Sequence, residues 1–237
     1  MRILAFETSA KAGSVAILED DRLLAESYIN TALTHSQTLL VMAQQLIENC
    51  GYTPQDIEAV AVAAGPGSFT GVRIGVAAAK GFAWGAQIPC YGVSTLEAMA
   101  RNLGVQHGYV LPVMDARRQQ VYTALFHADG DLVRKTEDRA ISLSELEQQI
   151  KNLEESVFLV GDGSVLCYNT LQETCPTLVL GPEHRMHQRA AGVALVAAQM
   201  YQAGLRPDAA SLTPNYLRLS QAERERLARE EKEKGDR

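Results

Sequence analysis

Apolar positions along this chain change period repeatedly, and each change marks an element. Residues 3–6, 15–18 and 23–28 are short apolar or alternating runs. Turn chemistry separates them, Ala12-Gly13-Ser14 and then Asp20-Asp21-Arg22, so they read as three strands. From 36 to 49 the apolar positions Leu39, Leu40, Met42, Ala43, Leu46 and Ile47 recur at helical spacing, and Gly51 stops the run. Residues 59–63 form a continuous apolar strand. A glycine loop follows, then a helix over 71–85, a strand over 90–93 and a helix over 95–103. The second half repeats this order. Strands are predicted at 109–114, 121–126 and 132–135, a helix at 143–153 with Ser142 and Glu145 at capping-box spacing, and a strand at 157–160. A tight Gly161-Asp162-Gly163 loop, a helix at 165–173, a strand at 178–180 and a helix at 188–203 complete it.

Each half reads βββ-α-β-α-β-α, which predicts an α/β fold made by duplication. Residues 1–104 form the first half and 105–218 the second. Residues 219–237 differ in kind: twelve of nineteen are charged, six of each sign, and they read as a solvated tail.

The segment Gly65-Pro66-Gly67-Ser68-Phe69-Thr70-Gly71 joins a strand to a helix start. Its glycines admit two readings of equal weight. The loop and the helix N-terminus could cradle an anion, or glycine is needed for close packing against a neighbouring element. Spacing weakens three familiar assignments. No Lys-Ser/Thr follows Gly71, the third glycine is one residue late for a dinucleotide fingerprint, and Pro66 and Thr70 flank Ser68 where a nucleophile elbow has glycines. Arg73, in the first helical turn, either holds a phosphate or carboxylate or is a solvated or salt-bridged arginine.

Composition narrows the classes. The 237 residues carry a formal charge of −6, which disfavours unaided binding of nucleic acid but permits work beside a basic partner. Cys50, Cys90, Cys167 and Cys175 have neither disulfide-framework nor zinc spacing and read as reduced thiols of a cytoplasmic protein. No apolar run approaches the ~18 residues of a membrane span.

Several short motifs carry a resemblance. Glu7-Thr8-Ser9, Gly13-Ser14-Val15-Ala16, Thr34-His35-Ser36, the glycine loop through Val72-Arg73, Gly92-Val93-Ser94-Thr95-Leu96 and Asp115-Ala116-Arg117 together resemble the bacterial TsaB (YeaZ) family from residue 3 to about 219. The resemblance implies the duplicated actin/sugar-kinase/Hsp70-like (ribonuclease-H-like) fold. It also implies an accessory, non-catalytic role in threonylcarbamoyl transfer to N6 of adenosine 37 of tRNAs reading ANN codons. The partners implied are a TsaD-type catalytic paralogue and a TsaE-type ATPase, with tRNA reached only through the complex and a homodimer when the chain is alone. The paralogue's H-x-x-x-H metal pair falls here on Thr95 and Met99, which offer no imidazole, and His184 and His187 read as surface histidines in a loop. Phosphotransferases of this fold use an Asp after the first strand and a D-x-G turn opening the second half. Here Glu7 and Asp115-Ala116-Arg117 stand at those places, and Arg117 is expected to fill nucleotide space. No metal and no independently bound cofactor is expected; weak ATP or ADP binding at a shared interface stays open.

Two helices are the expected partner surface, through Ser36, Leu40, Ala43 and Ile47 on the first and Gly75, Val76, Ala79 and Phe82 on the second. Val76→Glu or Phe82→Glu is expected to weaken binding while the fold persists. Glu7, Thr8, Ser9, His35, Gly67, Ser68 and Arg73 form the candidate phosphate or shared-interface loop; Ser36 is also read as a helix cap. Two alternatives are an independent ATP-dependent small-molecule kinase, disfavoured by Glu7 and Arg117, and a peptidase, for which no Ser/His/Asp order or H-E-x-x-H helix stands in the chain.

Overall fold

A computed structural model describes residues 1–104 and 107–218. The tail and the turn at 105–106 lie outside the described residues.

The first sheet is built from β1 (Arg2–Glu7), β2 (Gly13–Glu19) and β3 (Arg22–Ile29), then α1 (His35–Asn49), β4 (Ala59–Gly65), α2 (Phe69–Ala86), β5 (Cys90–Ser94) and α3 (Thr95–Leu103). Its strand order is β3-β2-β1-β4-β5. The meander is antiparallel, and β4 and β5 add in parallel. Burial on both faces explains why β1 and β4 read as unbroken apolar runs. Leu4 and Phe6 point to one face, toward α1 and α2, while Ile3 and Ala5 point to the other.

The second half runs β6 (His107–Asp115), β7 (Gln120–Thr123), β8 (Phe126–Asp129), β9 (Asp131–Arg134), β10 (Arg139–Ser142), α4 (Leu143–Ile150), β11 (Val157–Val160), α5 (Ser164–Leu171), β12 (Leu178–Leu180) and α6 (Ala190–Gln202). Five strands replace the three predicted for the meander, yet the pairing register shows three interrupted ones. Along β6, His107 faces Asp129 and Val110 faces Phe126 of β8, and Val113 faces Thr123 and Asp115 faces Val121 of β7, without a step. β7 and β8 are one strand. Opposite it, Arg134 pairs Phe126 and Arg139 pairs Thr123, so five steps of chain stand against three and two residues bulge out. The bulge is satisfied locally. Lys135 and Thr136 N–H groups donate to the Leu125 carbonyl at 2.8 and 3.2 Å, and Leu125 N–H donates to Thr136 Oγ1 at 2.8 Å. With these joins, the second sheet has the first sheet's order.

α3 and α6 exchange halves. α3 packs Leu96, Met99 and Leu103 against Val110, Met114, Phe126 and Val160 of the second sheet. α6 packs its alanines on Ala5, Ala16, Ala59, Ala61 and Ala63 of the first. Small residues on both surfaces bring α6 close. A Cβ at Gly192 would run into the Ala98 carbonyl of α3. The layers are therefore α1 and α2, the first sheet, α6 with α3, the second sheet, and α4 with α5. The chain then returns past the first half. Pro207 accepts from Cys90 N–H at 3.1 Å, Lys80 Nζ donates to the Ala210 and Leu212 carbonyls, and Asn215 N–H donates to Ala64 at 2.7 Å. No helix among the described residues is long and apolar enough to cross a membrane.

Candidate functional site at the cleft between the halves

A cleft of about 470 Å3 opens where the ends of β1 and β6 face each other across the two halves. Its walls are Ser9 to Lys11 after β1, Pro66 to Phe69 of the glycine loop, Met114 to Arg117 at and just past the end of β6, Asp162, and Tyr216 to Arg218 of the returning chain.

The glycines of the loop serve close packing. A Cβ on Gly67 would meet the Ser9 carbonyl, on Gly71 the Thr8 carbonyl, on Gly75 Thr8 Oγ1, and on Gly65 the Asn215 carbonyl. Hydrogen bonds fix the same contact: Ser68 N–H donates to Ser9 at 2.6 Å and Thr8 Oγ1 donates to the Gly71 carbonyl at 2.8 Å. Ser68 caps α2, accepting from Gly71 N–H at 3.3 Å. Thr8, Ser9, Gly67 and Ser68 thus lock the exit of β1 onto the start of α2. The second half repeats the device, since a Cβ on Gly161 would meet the Val113 carbonyl near the end of β6.

Glu7 is fully buried at the floor of this junction. Its Oε1 accepts from Ser9 N–H at 2.6 Å, and its Oε2 has no hydrogen-bond partner among the described residues. Burial pushes its carboxyl up to about 7, against the pull of the Ser9 hydrogen bonds. Asp162, a site residue that periodicity did not reveal, is likewise raised by burial, opposed by Gln188 Nε2 donating at 2.9 Å. The Gly-Asp-Gly spelling around it was the available signal.

Arg73 does not point into the cleft as a free anion receptor. Its guanidinium lies 3.8 Å from the centroid of the Phe69 ring, and its Nε donates to the Tyr216 hydroxyl at 2.8 Å. Phe69 and Tyr216 stack at 4.5 Å. His35 Nε2 lies 2.8 Å from the Ala10 carbonyl, so that nitrogen carries the proton, and the ring packs over Gly13. Thr34, not Ser36, caps α1; Gln37 Oε1 accepts from Thr34 N–H at 3.4 Å.

Arg117 keeps a glycine-like φ of 65°, and Arg118 and Gln119 follow at 55° and 57°. Three successive left-handed residues cost of order 1–2 kcal/mol each. Arg117 lines the cleft but is exposed, and about 470 Å3 stays open, so it does not plug the site. Thr95 and Met99 are buried in α3, with Met99 in the second sheet's core. Among the described residues no three His, Cys, Asp or Glu side chains are grouped to hold a metal ion.

The expected partner surface needs correction. Ala43, Ile47, Val76 and Ala79 are buried in the core under the first sheet, and Gly75 is packed on Thr8. None of them is available to a partner. Ser36 and Leu40 are exposed and Phe82 is half-buried. The outer face carries Leu40 (60% exposed), Val41 (53%) and Trp84 (71%), with Ala77, Gly81 and Gly85.

Residues 24–226 match the family model for TsaD, tRNA N6-adenosine threonylcarbamoyltransferase. A Bacillus subtilis relative, tRNA threonylcarbamoyladenosine biosynthesis protein TsaB, is 34% identical over 94% of this chain and 96% of its own length. The chain belongs to the TsaB (YeaZ) family. A solved Pseudomonas aeruginosa structure, described as an uncharacterized protein with similarity to peptidase YEAZ, superposes with a TM-score of 0.73 at 26% identity, covering 92% of this chain and 99% of that one. The ROK hexokinase of Thermus thermophilus, at 12% identity and a TM-score of 0.52 over 86% of this chain and all of its own, shares the fold. This TsaB-family chain thus has the duplicated α/β fold that its repeated element order predicts, of the sugar-kinase-like type that the family resemblance implies.

Proposed function

We propose that this chain is the non-catalytic accessory subunit of threonylcarbamoyl transfer to N6 of adenosine 37 in tRNAs reading ANN codons. In this reading it binds a TsaD-type catalytic paralogue and a TsaE-type ATPase, and pairs with a second copy of itself when alone. The observation that supports it best is the outer face of α1 and α2. Gly81 and Gly85 stand inside a helix, and among the described residues a Cβ at either meets nothing within 4 Å. The chain's own packing has no need of them, although each weakens the helix by ~1 kcal/mol relative to alanine. A second helix approaching closely beside Leu40, Val41 and Trp84 gives them a use. The catalytic paralogue would supply the metal, since Thr95 and Met99 are packed side chains without imidazoles. ATP or ADP would be bound weakly, at an interface shared with a partner. Reconstitution of tRNA modification with the TsaD-type and TsaE-type proteins tests the reading: product is expected only when this chain is added, and the isolated chain is expected to hydrolyse no ATP. Steady ATP turnover by the purified chain would favour the small-molecule kinase instead.

A further inference from the structure

The turn after β6 presents a charge pattern that the accessory role does not use. Arg117 and Arg118 are exposed, and neither side chain has a hydrogen-bond or ion-pair partner among the described residues. Their left-handed backbone is held from several sides. Arg117 N–H donates to Asp115 Oδ1 at 2.7 Å, Ala116 N–H to Gln120 at 3.0 Å, and Leu143 N–H to the Gln119 carbonyl at 3.4 Å. Strained backbone of this kind, carrying two guanidinium groups with no side-chain partner among the described residues, is held in place for a use outside those contacts.

Two more cations join it. Lys11 lines the same cleft as Arg117, and Arg218 donates to the Ala116 carbonyl while lining that cleft too. Behind the turn lies an adjoining cavity of about 810 Å3, lined by Arg117, Arg118 and Arg218 together with Ser142, Ser144 and Thr170. Asp115 lines both cavities and accepts from the Arg117 N–H, and Asp162 lines the cleft and accepts from Gln188; these two acids offset part of the charge, and the four cations outnumber them.

We propose that Lys11, Arg117, Arg118 and Arg218 form a rim that contacts the phosphate backbone of RNA. The common chemistry is a phosphate oxyanion held by guanidinium and ammonium groups. Lys11, Arg117 and Arg118 are exposed and Arg218 is half-buried, and the four are spread over three chain segments along two cavities, which suits successive backbone phosphates better than one enclosed polyphosphate. The formal charge of −6 makes the contact weak for the chain alone and strongest at low salt. The inference rests on the tRNA-modifying role proposed above and adds a direct RNA contact to it.

The test titrates the full-length chain with a fluorescent anticodon stem-loop RNA at several salt concentrations. ATP and tripolyphosphate serve as separate competitors. Arg117→Gln with Arg118→Gln is expected to weaken binding about tenfold and to reduce the slope of log affinity against log salt by about 1.5. Arg22→Gln is the matched control. Arg22 opens β3 beside Glu19, at the end of the first sheet opposite Glu7, and its loss should leave both quantities unchanged. Circular dichroism shows whether the double variant keeps the fold; if it does not, Lys11→Gln alone is expected to lower the slope by about 0.7. Three results would overturn the proposal: no binding by the unaltered chain at low salt, an unchanged slope in folded variants, or displacement of RNA by ATP at concentrations that mark a nucleotide site. Failure of the accessory role itself reads out separately, as tRNA modification that is indifferent to the presence of the chain.

Discussion

At the scale of single residues, Glu7 is the most informative. Its carboxyl lies near 7 in the fold and near the ordinary glutamate value in the unfolded chain. The folded state therefore binds the extra proton between about pH 4.5 and 7, and stability falls as pH rises through that window. The cost at pH 8 is about 3 kcal/mol. Glu7→Gln should raise the melting temperature at pH 8, leave it nearly unchanged at pH 4.5, and flatten the pH profile between; thermal denaturation at both values checks this. Val76→Glu should unfold the chain, because Val76 lies in the core beneath the first sheet, and loss of the cooperative melting transition will show it. The sequence marked Glu7 by its place at the end of the first strand. It could not mark Val76 as core, since an apolar residue on a helix looks the same whether its own sheet or a partner covers it.

At the scale of elements, α2 divides its glycines by purpose. Gly71 and Gly75 are pressed against Thr8, whereas Gly81 and Gly85 face open space. Gly81→Ala and Gly85→Ala should each stabilise the isolated chain by about 0.5–1 kcal/mol in urea denaturation. The same changes should weaken association with the partner in a pull-down or by calorimetry. Gly71→Ala should instead destabilise by about 2–3 kcal/mol, because its methyl group meets backbone that has no rotamer to change. Helical spacing made α1 and α2 legible, and short apolar runs bounded by turn residues did the same for the three-strand meanders. The break between β7 and β8 and the bulge before β10 were not legible, because they depend on which residues pair across the sheet and not on any one strand's pattern.

At the scale of the molecule, the repeated element order gave the duplication, but not the exchange of α3 and α6 between the halves. Both helices are apolar on broad faces, and only tertiary packing decides which sheet each covers. The return of residues 205–218 past β5 and the glycine loop was also hidden, although it explains Gly65 and Gly92, whose added methyls would meet Asn215 and Leu212. The same return places Tyr216 on Phe69 and under Arg73, so one C-terminal segment braces the cleft from the first half while Arg218 reaches the second. The result is a cleft whose loops are packed on one another, and apart from its lining an exposed face on α1 and α2 where a partner is proposed to dock. The most direct measurement of that account is tRNA threonylcarbamoylation in a purified mixture of the TsaD-type and TsaE-type proteins, with this chain, without it, and with Leu40→Glu/Gly81→Glu in its place. Product is expected only with the unaltered chain, while the double variant stays folded and inactive. Full product formation with the folded double variant, or by this chain alone, would contradict it.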